Sequence, residues 1–215
     1  MDITEKLVSQ AALDVTGSAT IEYRGHSIDT DQPWRRVSMR EIVREYSEID
    51  YMDYPDAASL EAAIRALGEK VKPGQPWGKL VEHLFSEFAE PKLIAPTFVC
   101  DYPRDISPFA KGIEGDPLHT ERFELYIGGM EIANAFTELN DPLDQEARFL
   151  EMAKLYRAGD DDETPIDQDF LRAMRFGMPP TGGFGMGVDR LLMLLIDQQS
   201  IRDILLFPHM RDEQA

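Results

Sequence analysis

The chain has 215 residues, 43% of them hydrophobic, which is enough for one domain with a real core, and its 40 acidic against 22 basic residues leave a net charge of −18. That balance argues against a broad nucleic-acid-binding face in this segment, since such faces cluster Lys and Arg; carboxylates in a pocket would suit a cationic substrate or a divalent metal, while most will simply be a solvated surface. The longest apolar run, Leu191 to Ile196, is far below the roughly 20 residues of a membrane span, the start Met-Asp-Ile-Thr-Glu-Lys lacks a secretory pattern, and the single Cys100 has no internal partner, so the expectation is a cytoplasmic protein without membrane association.

Residues Asp2 to Ala12 read as a helix with Ile3, Leu7 and Val8 on its apolar face. Thr20 to Ile28 and Trp34 to Val37 read as strands joined by the polar loop Asp29-Thr30-Asp31-Gln32-Pro33. Ser38 stands three residues before Glu41, the spacing of a capping box, at the head of a helix with Ile42, Val43 and Tyr46 on one face. Asp56 or Ser59 caps a further helix that Gly68 ends; after the turn at Pro73-Gly74-Gln75-Pro76, Leu80, Val81, Leu84, Phe85 and Phe88 recur at helical spacing. This stretch reads as a small helical insertion between sheet elements. Pro96 to Asp101 is a strand containing Cys100, which is expected to pack rather than react. Phe123 to Ile127 alternates, Gly128-Gly129 signals a two-residue hairpin, and Met130 to Leu139 returns. Asp144 to Ala158 and Asp167 to Phe176 are helices separated by the acidic loop Asp160 to Glu163, and a glycine-rich turn leads into an apolar helix from Val188 to Ile196. The pattern is α+β, an antiparallel sheet flanked by helices. His83 and His119 lack partners at zinc spacing and are expected to be structural or surface residues.

Two segments carry candidate chemistry. In the first, Gly182 to Gly187 run directly into a helix whose first turn holds Arg190. Such glycines admit close approach of a ligand, and a guanidinium there pairs well with phosphate; the plainer reading is a tightly packed helix entry. No Gly-Lys-Ser/Thr follows, so it is not a Walker loop. In the second, a turn at Gly128-Gly129 sets Tyr126 opposite Glu131, and Glu124 shares the face of Tyr126. Glu124 and Glu131 then either hold one Mg²⁺ between them or are two carboxylates on an exposed sheet face. Glu138, seven residues past Glu131, falls on the opposite face by strict alternation. A bulge near Ala133 to Ala135 would return it.

Gly183-x-Gly185-x-Gly187-x-Asp189-Arg190 with Leu191-Leu192-Met193-Leu194 resembles motif 3 of the class II aminoacyl-tRNA synthetases, and Ser200 to Pro208 narrows the likeness to the lysine, aspartate and asparagine subgroup. The run Gly128-Gly129-x-Glu131-Ile132-x-Asn134-x-Phe136-x-Glu138-Leu139-Asn140-Asp141 resembles the lysyl-tRNA synthetases (lysine–tRNA ligases), as do Asp101-Tyr102-Pro103 and Ser107-Pro108-Phe109-Ala110-Lys111. The resemblance implies an ATP-dependent, AMP-forming ligase that makes lysyl-adenylate and transfers lysine to tRNA(Lys). It implies that Gly183, Gly185 and Gly187 pack on the adenine and that Arg190 is the catalytic contact to the ATP γ-phosphate. It also implies Glu124 and Glu131 as Mg²⁺ and ATP ligands, Glu138 as the partner of the substrate ε-ammonium, and Asn134 and Phe136 as pocket lining.

On this reading, residues 1–50 are part of a catalytic domain, 51–92 are the helical insertion, and 93–215 are catalytic domain with the carboxylate hairpin and motif 3. The OB-fold, motif 1 and motif 2 of a complete family member do not occur in these residues, and Met1 falls inside the catalytic domain. The expectation is a fragment of a homodimeric enzyme, inactive by itself. The alternatives are a lysine ligase acting on a protein, as the elongation-factor-P ligases do, and a non-catalytic lysine- or ATP-binding paralogue.

Overall fold

The structure, a computed structural model, describes residues 1–31, 33–157 and 166–208. Helix α1 (Asp2–Thr16) opens the chain and ends at Gly17 in the left-handed region. Its buried stripe is Thr4, Val8 and Ala12, whereas Ile3 is 81% and Leu7 42% exposed. The expected face is therefore corrected: the contact follows the i, i+4, i+8 row, and Val8 alone of the three expected residues lies on it. The expected strand from Thr20 to Ile28 is a hairpin, β1 (Thr20–Tyr23) and β2 (His26–Asp29), because Arg24 and Gly25 both take positive φ and reverse the chain.

Strand β3 (Arg35–Ser38) leads into α2 (Met39–Ser47) through the capping box foreseen from Ser38 and Glu41, with both reciprocal bonds formed. Ser38→Ala should cost about 1 kcal/mol of stability, seen as a lower midpoint in urea unfolding; an unchanged midpoint would show that the cap carries no weight. Helix α3 (Ala57–Ala66), capped by Asp56, and α4 (Trp77–Leu84) follow, and α4 continues through a π-helical turn at Phe85–Ala89. Together with α2 they bury Ile42, Val43, Leu60, Ile64, Leu80 and Leu84 against one face of the sheet.

The main sheet has the order β3-β4-β5-β6-β7, with β4 (Thr97–Pro103), β5 (His119–Ile127), β6 (Met130–Thr137) and β7 (Gly182–Met186). All neighbours are antiparallel except β3 and β4, which are parallel, as a crossover through the helical segment requires. The opposite face is covered by α1, the β1–β2 hairpin and α7 (Val188–Leu195), whose Leu191 and Leu194 meet Phe98, Leu125, Ile127 and Ile132. The glycine-rich segment expected as a turn is strand β7. Its backbone completes the ladder on β6, a pairing that local glycine content does not reveal.

Helices α5 (Pro142–Arg157) and α6 (Gln168–Arg175) pack together at the β6–β7 end. The acidic loop Asp160 to Glu163 lies outside the described residues. His119 is buried, with its ring between the Tyr51 hydroxyl at 3.0 Å and Asp116 at 2.8 Å, a structural bridge from the helical segment to β5. Burial pushes the Cys100 thiol up to about 11, which keeps it protonated and a poor nucleophile.

Candidate active site

The site is built on the β5–β6–β7 face by register. Gly128 and Gly129 both hold positive φ, a type I′ turn, and their N–H groups donate to Ile94 and Leu93 carbonyls at 2.9 and 3.0 Å. A side chain at Gly128 would meet the Tyr23 ring at 2.6 Å, so both conformation and space demand glycine. This turn sets Tyr126 opposite Glu131, as expected.

One step further, Leu125 pairs with Ala133, which leaves Ile132 without an opposite residue. The bulge that Glu138 needs is thus at Ile132, one position earlier than the expected range Ala133 to Ala135. Ile132 and Ala133 are both buried in the same core, and that demand sets where the strand kinks. Past the bulge, Glu124 pairs with Asn134, which pairs with Gly185, and Arg122 pairs with Phe136, which pairs with Gly183. Glu124, Glu131, Asn134, Phe136, Glu138, Gly183 and Gly185 therefore share one face.

Glu124 is 7% exposed, and both of its carboxylate oxygens accept hydrogen bonds. One carboxylate oxygen accepts from Arg122; the other accepts from the Tyr102 hydroxyl at 2.7 Å and from the Tyr126 hydroxyl. Burial, with the Glu124 charge next to them, pushes both tyrosine hydroxyls well above their ordinary value, so they stay as donors. Glu131 receives Arg190: Nη1 donates to its Oε2 and to its backbone carbonyl, each at 2.9 Å. Arg190 thus stands in the first turn of α7 and points back at the carboxylate hairpin. Gly187 caps α7 and donates its N–H to Ile132 at 2.9 Å, tying the bulge to the helix.

Glu138 lies over Gly183. A Cβ on Gly183 would overlap Glu138 Oε1 and stand 3.0 Å from its Cδ, whereas one on Gly185 would make only an ordinary contact, 3.7 Å from the Asn134 carbonyl. Burial raises the Glu138 carboxyl above its ordinary value, and among the described residues no cation pairs with it. A partly desolvated carboxylate is stabilised by any cation that comes to pair with it.

The carboxylates also bear on a metal. About three of the four lone-pair positions of Glu124 are used, one remains, and Glu131 keeps its second oxygen. No group of three or more metal-ligating side chains occurs among the described residues. Mg²⁺ commonly takes one or two carboxylates and completes its shell with water and phosphate oxygens, so the pair fits that ion in company with a nucleotide.

The family profile described as tRNA synthetases class II (D, K and N) matches residues 1–211. The chain belongs to this family. It is 52% identical over 216 residues to the lysine–tRNA ligase of Roseiflexus castenholzii, covering 100% of this chain and 44% of that protein. It is 48% identical over 212 residues to that of Chloroflexus aurantiacus (99% and 43%), and 46% identical over 215 residues to that of Dehalococcoides mccartyi strain 195 (100% and 43%). The chain spans less than half the length of these curated relatives. No helix of the described residues is long and apolar enough to cross a membrane.

Two residues of this synthetase chain, Arg122 and Glu90, and one contact of a residue already expected in the site, Gly183, escaped sequence reasoning. Arg122 holds Glu124 and Asn134 together, but its alternation with Glu124 looks like any polar strand. Gly183 makes room for Glu138, a contact between distant segments. Glu90, at the end of the π-helical turn, has its carboxyl raised by burial and by the nearby Glu124 and Glu131, so it belongs to the same acidic neighbourhood.

Proposed function

We propose that this chain carries the amino-acid pocket and part of the ATP site of a lysine–tRNA ligase, which joins lysine to ATP to give lysyl-adenylate and pyrophosphate and then transfers lysine to tRNA(Lys). The observation that carries the reading is the unpaired Glu138 carboxylate seated over Gly183 on the face that also holds Glu124, Glu131 and Arg190. The names of the relatives agree with it.

In this reading Glu138 accepts the ε-ammonium of lysine, and Phe136, its neighbour on that face, contacts the aliphatic stem. Asn134 turns its amide nitrogen toward the ligand, because its oxygen accepts from Arg122 Nε at 3.2 Å. The substrate carboxylate attacks the α-phosphorus in line; the new bond is carboxylate O–P, and the α–β phosphoanhydride bond breaks to release pyrophosphate. Bound Mg²⁺ supplies charge neutralisation to the phosphates. Arg190 is held by Glu131 within reach of the same phosphates, and the chain's contribution is positioning and charge compensation rather than covalent catalysis. Gly185 leaves room for the base, since only the Asn134 carbonyl stands within 4 Å of where a Cβ would be, whereas the space beside Gly187 is taken by the Arg190 side chain.

Lysine-dependent ATP–pyrophosphate exchange by the full-length gene product, with labelled lysine passing to tRNA and not to a protein, is the expected result. Exchange supported by aspartate or asparagine instead would sink the reading. Gly183→Ala offers a finer test. The added methyl has to displace the Glu138 carboxylate, and a misplacement of about 1 Å commonly costs on the order of 100-fold. Lysine KM should rise by that order, whereas an unchanged KM would mean that Glu138 is not the receptor.

A further inference from the structure

Arg122 has no place in the reading above beyond its contact with Asn134, yet it is the most connected side chain on the face. Its Nη2 pairs with Glu124 Oε1, its Nε donates to Asn134 Oδ1 at 3.2 Å, and its Nη1 donates to the Ile106 carbonyl at 3.1 Å and Ser107 Oγ at 3.0 Å. Its guanidinium carbon stands 4.5 Å from the Tyr102 ring centroid, and the hydroxyl of that same tyrosine donates 2.7 Å to the other oxygen of Glu124. The side chain is 16% exposed, so all of this occurs beneath the ligand-facing surface.

Arginine only donates. The amide of Asn134 therefore cannot flip: its oxygen must face Arg122 and its NH₂ must face the open side. The same planar group also fixes the rotation of the Glu124 carboxylate, which leaves its one unused lone pair on the oxygen that Arg122 holds. A lysine ammonium is compact and lacks the planar fork, so it can satisfy the charge of Glu124 but not Asn134, Ser107 and Ile106 at the same time.

We infer that Arg122 is a positioning residue that sets the lysine pocket and the phosphate–Mg²⁺ carboxylate in register through a single guanidinium, so that the two subsites are tuned together. This rests on the function proposed above, through the roles of Asn134 and Glu124.

The test uses the full-length gene product, with ATP–pyrophosphate exchange measured against lysine and against Mg²⁺, and thermal unfolding alongside. Arg122→Lys should unfold within a few degrees of the parent yet raise lysine KM and the Mg²⁺ needed for half-maximal rate together, each by about tenfold or more. Asn134→Asp keeps the clamp and its shape but replaces the NH₂ donors; it should stay folded, raise lysine KM by a similar factor and leave the Mg²⁺ requirement unchanged. Should Arg122→Lys fail to fold, Asn134→Asp still decides whether the amide orientation matters. An Arg122→Lys protein in which neither parameter moves, or only one does, overturns the inference, as does an Asn134→Asp protein with the parent's lysine KM. Glu138→Gln is run in parallel: if it abolishes the lysine response while Arg122→Lys is silent, the inference falls and the proposed function stands; if it leaves the lysine response intact, the proposed function itself falls.

Discussion

Glu138→Gln should reduce lysine affinity by on the order of 100- to 1,000-fold, because removing one partner of a desolvated charge pair costs roughly 2–5 kcal/mol. The fold should not suffer. Burial raises the Glu138 carboxyl in the native state, so the native state favours the neutral form more than the unfolded chain does. The sign follows from that: the cost of the charged form is absent below the ordinary glutamate value and grows as pH rises through the elevated native value. At neutral pH the glutamine protein should therefore melt at the parent's temperature or slightly above it, with no lysine binding by calorimetry. For the parent, lysine affinity should fall as pH is lowered through the elevated Glu138 value, at a higher pH than an exposed glutamate would give, and the variant should show no such step. Retained affinity in Glu138→Gln, or a loss accompanied by a lower melting temperature, would count against Glu138 as the receptor.

Arg148→Leu should be the most destabilising single change discussed here, by about 3–5 kcal/mol in urea or thermal unfolding. The Arg148 side chain is 4% exposed. It grips Asp144 through Nε at 3.1 Å and Nη2 at 2.8 Å, and through Nη1 it donates to the Ser107 and Ala110 carbonyls at 3.2 and 2.8 Å. Leucine would take the side-chain donor from the Ala110 carbonyl, leave the Ser107 carbonyl with only the Ala110 N–H at 3.2 Å, and leave a carboxylate dependent on Arg104 alone, which is 2.8 Å from it. The effect should reach the pocket, since Ala110 bridges to Glu138 and the Lys111 N–H donates to Thr137 at 2.8 Å. A loss below about 1 kcal/mol, the range of a surface pair, would mean that the network is not cooperative.

The local elements were legible wherever one short-range rule dominated. The Ser38–Glu41 capping box, the Asp56 cap and the Gly128-Gly129 turn each depend on a few adjacent residues, and the turn in turn dictated the Tyr126–Glu131 pairing. Motif spacing also carries the family, and with it the candidate residues Glu124, Glu131, Asn134, Phe136, Glu138 and Arg190. The glycine-rich segment reads as a turn because glycine has no strand preference of its own, and only the edge of β6 makes it a strand. Likewise local periodicity points to Ile3 and Leu7, whereas the buried row Thr4, Val8 and Ala12 is selected by what packs against the helix.

What the sequence by itself determined is the kind of chemistry: an acidic hairpin, a glycine-rich strand and an arginine at a helix start, in the order and spacing of the class II synthetases. What only the tertiary structure decided is how those groups become a site. The bulge at Ile132 turns Glu138 to the face of Glu124 and Glu131, Gly183 yields the volume its carboxylate occupies, and Arg122 orients Asn134 and Glu124. Each of these depends on contacts between strands, where steric volume and hydrogen-bond direction are set by a partner distant in the chain.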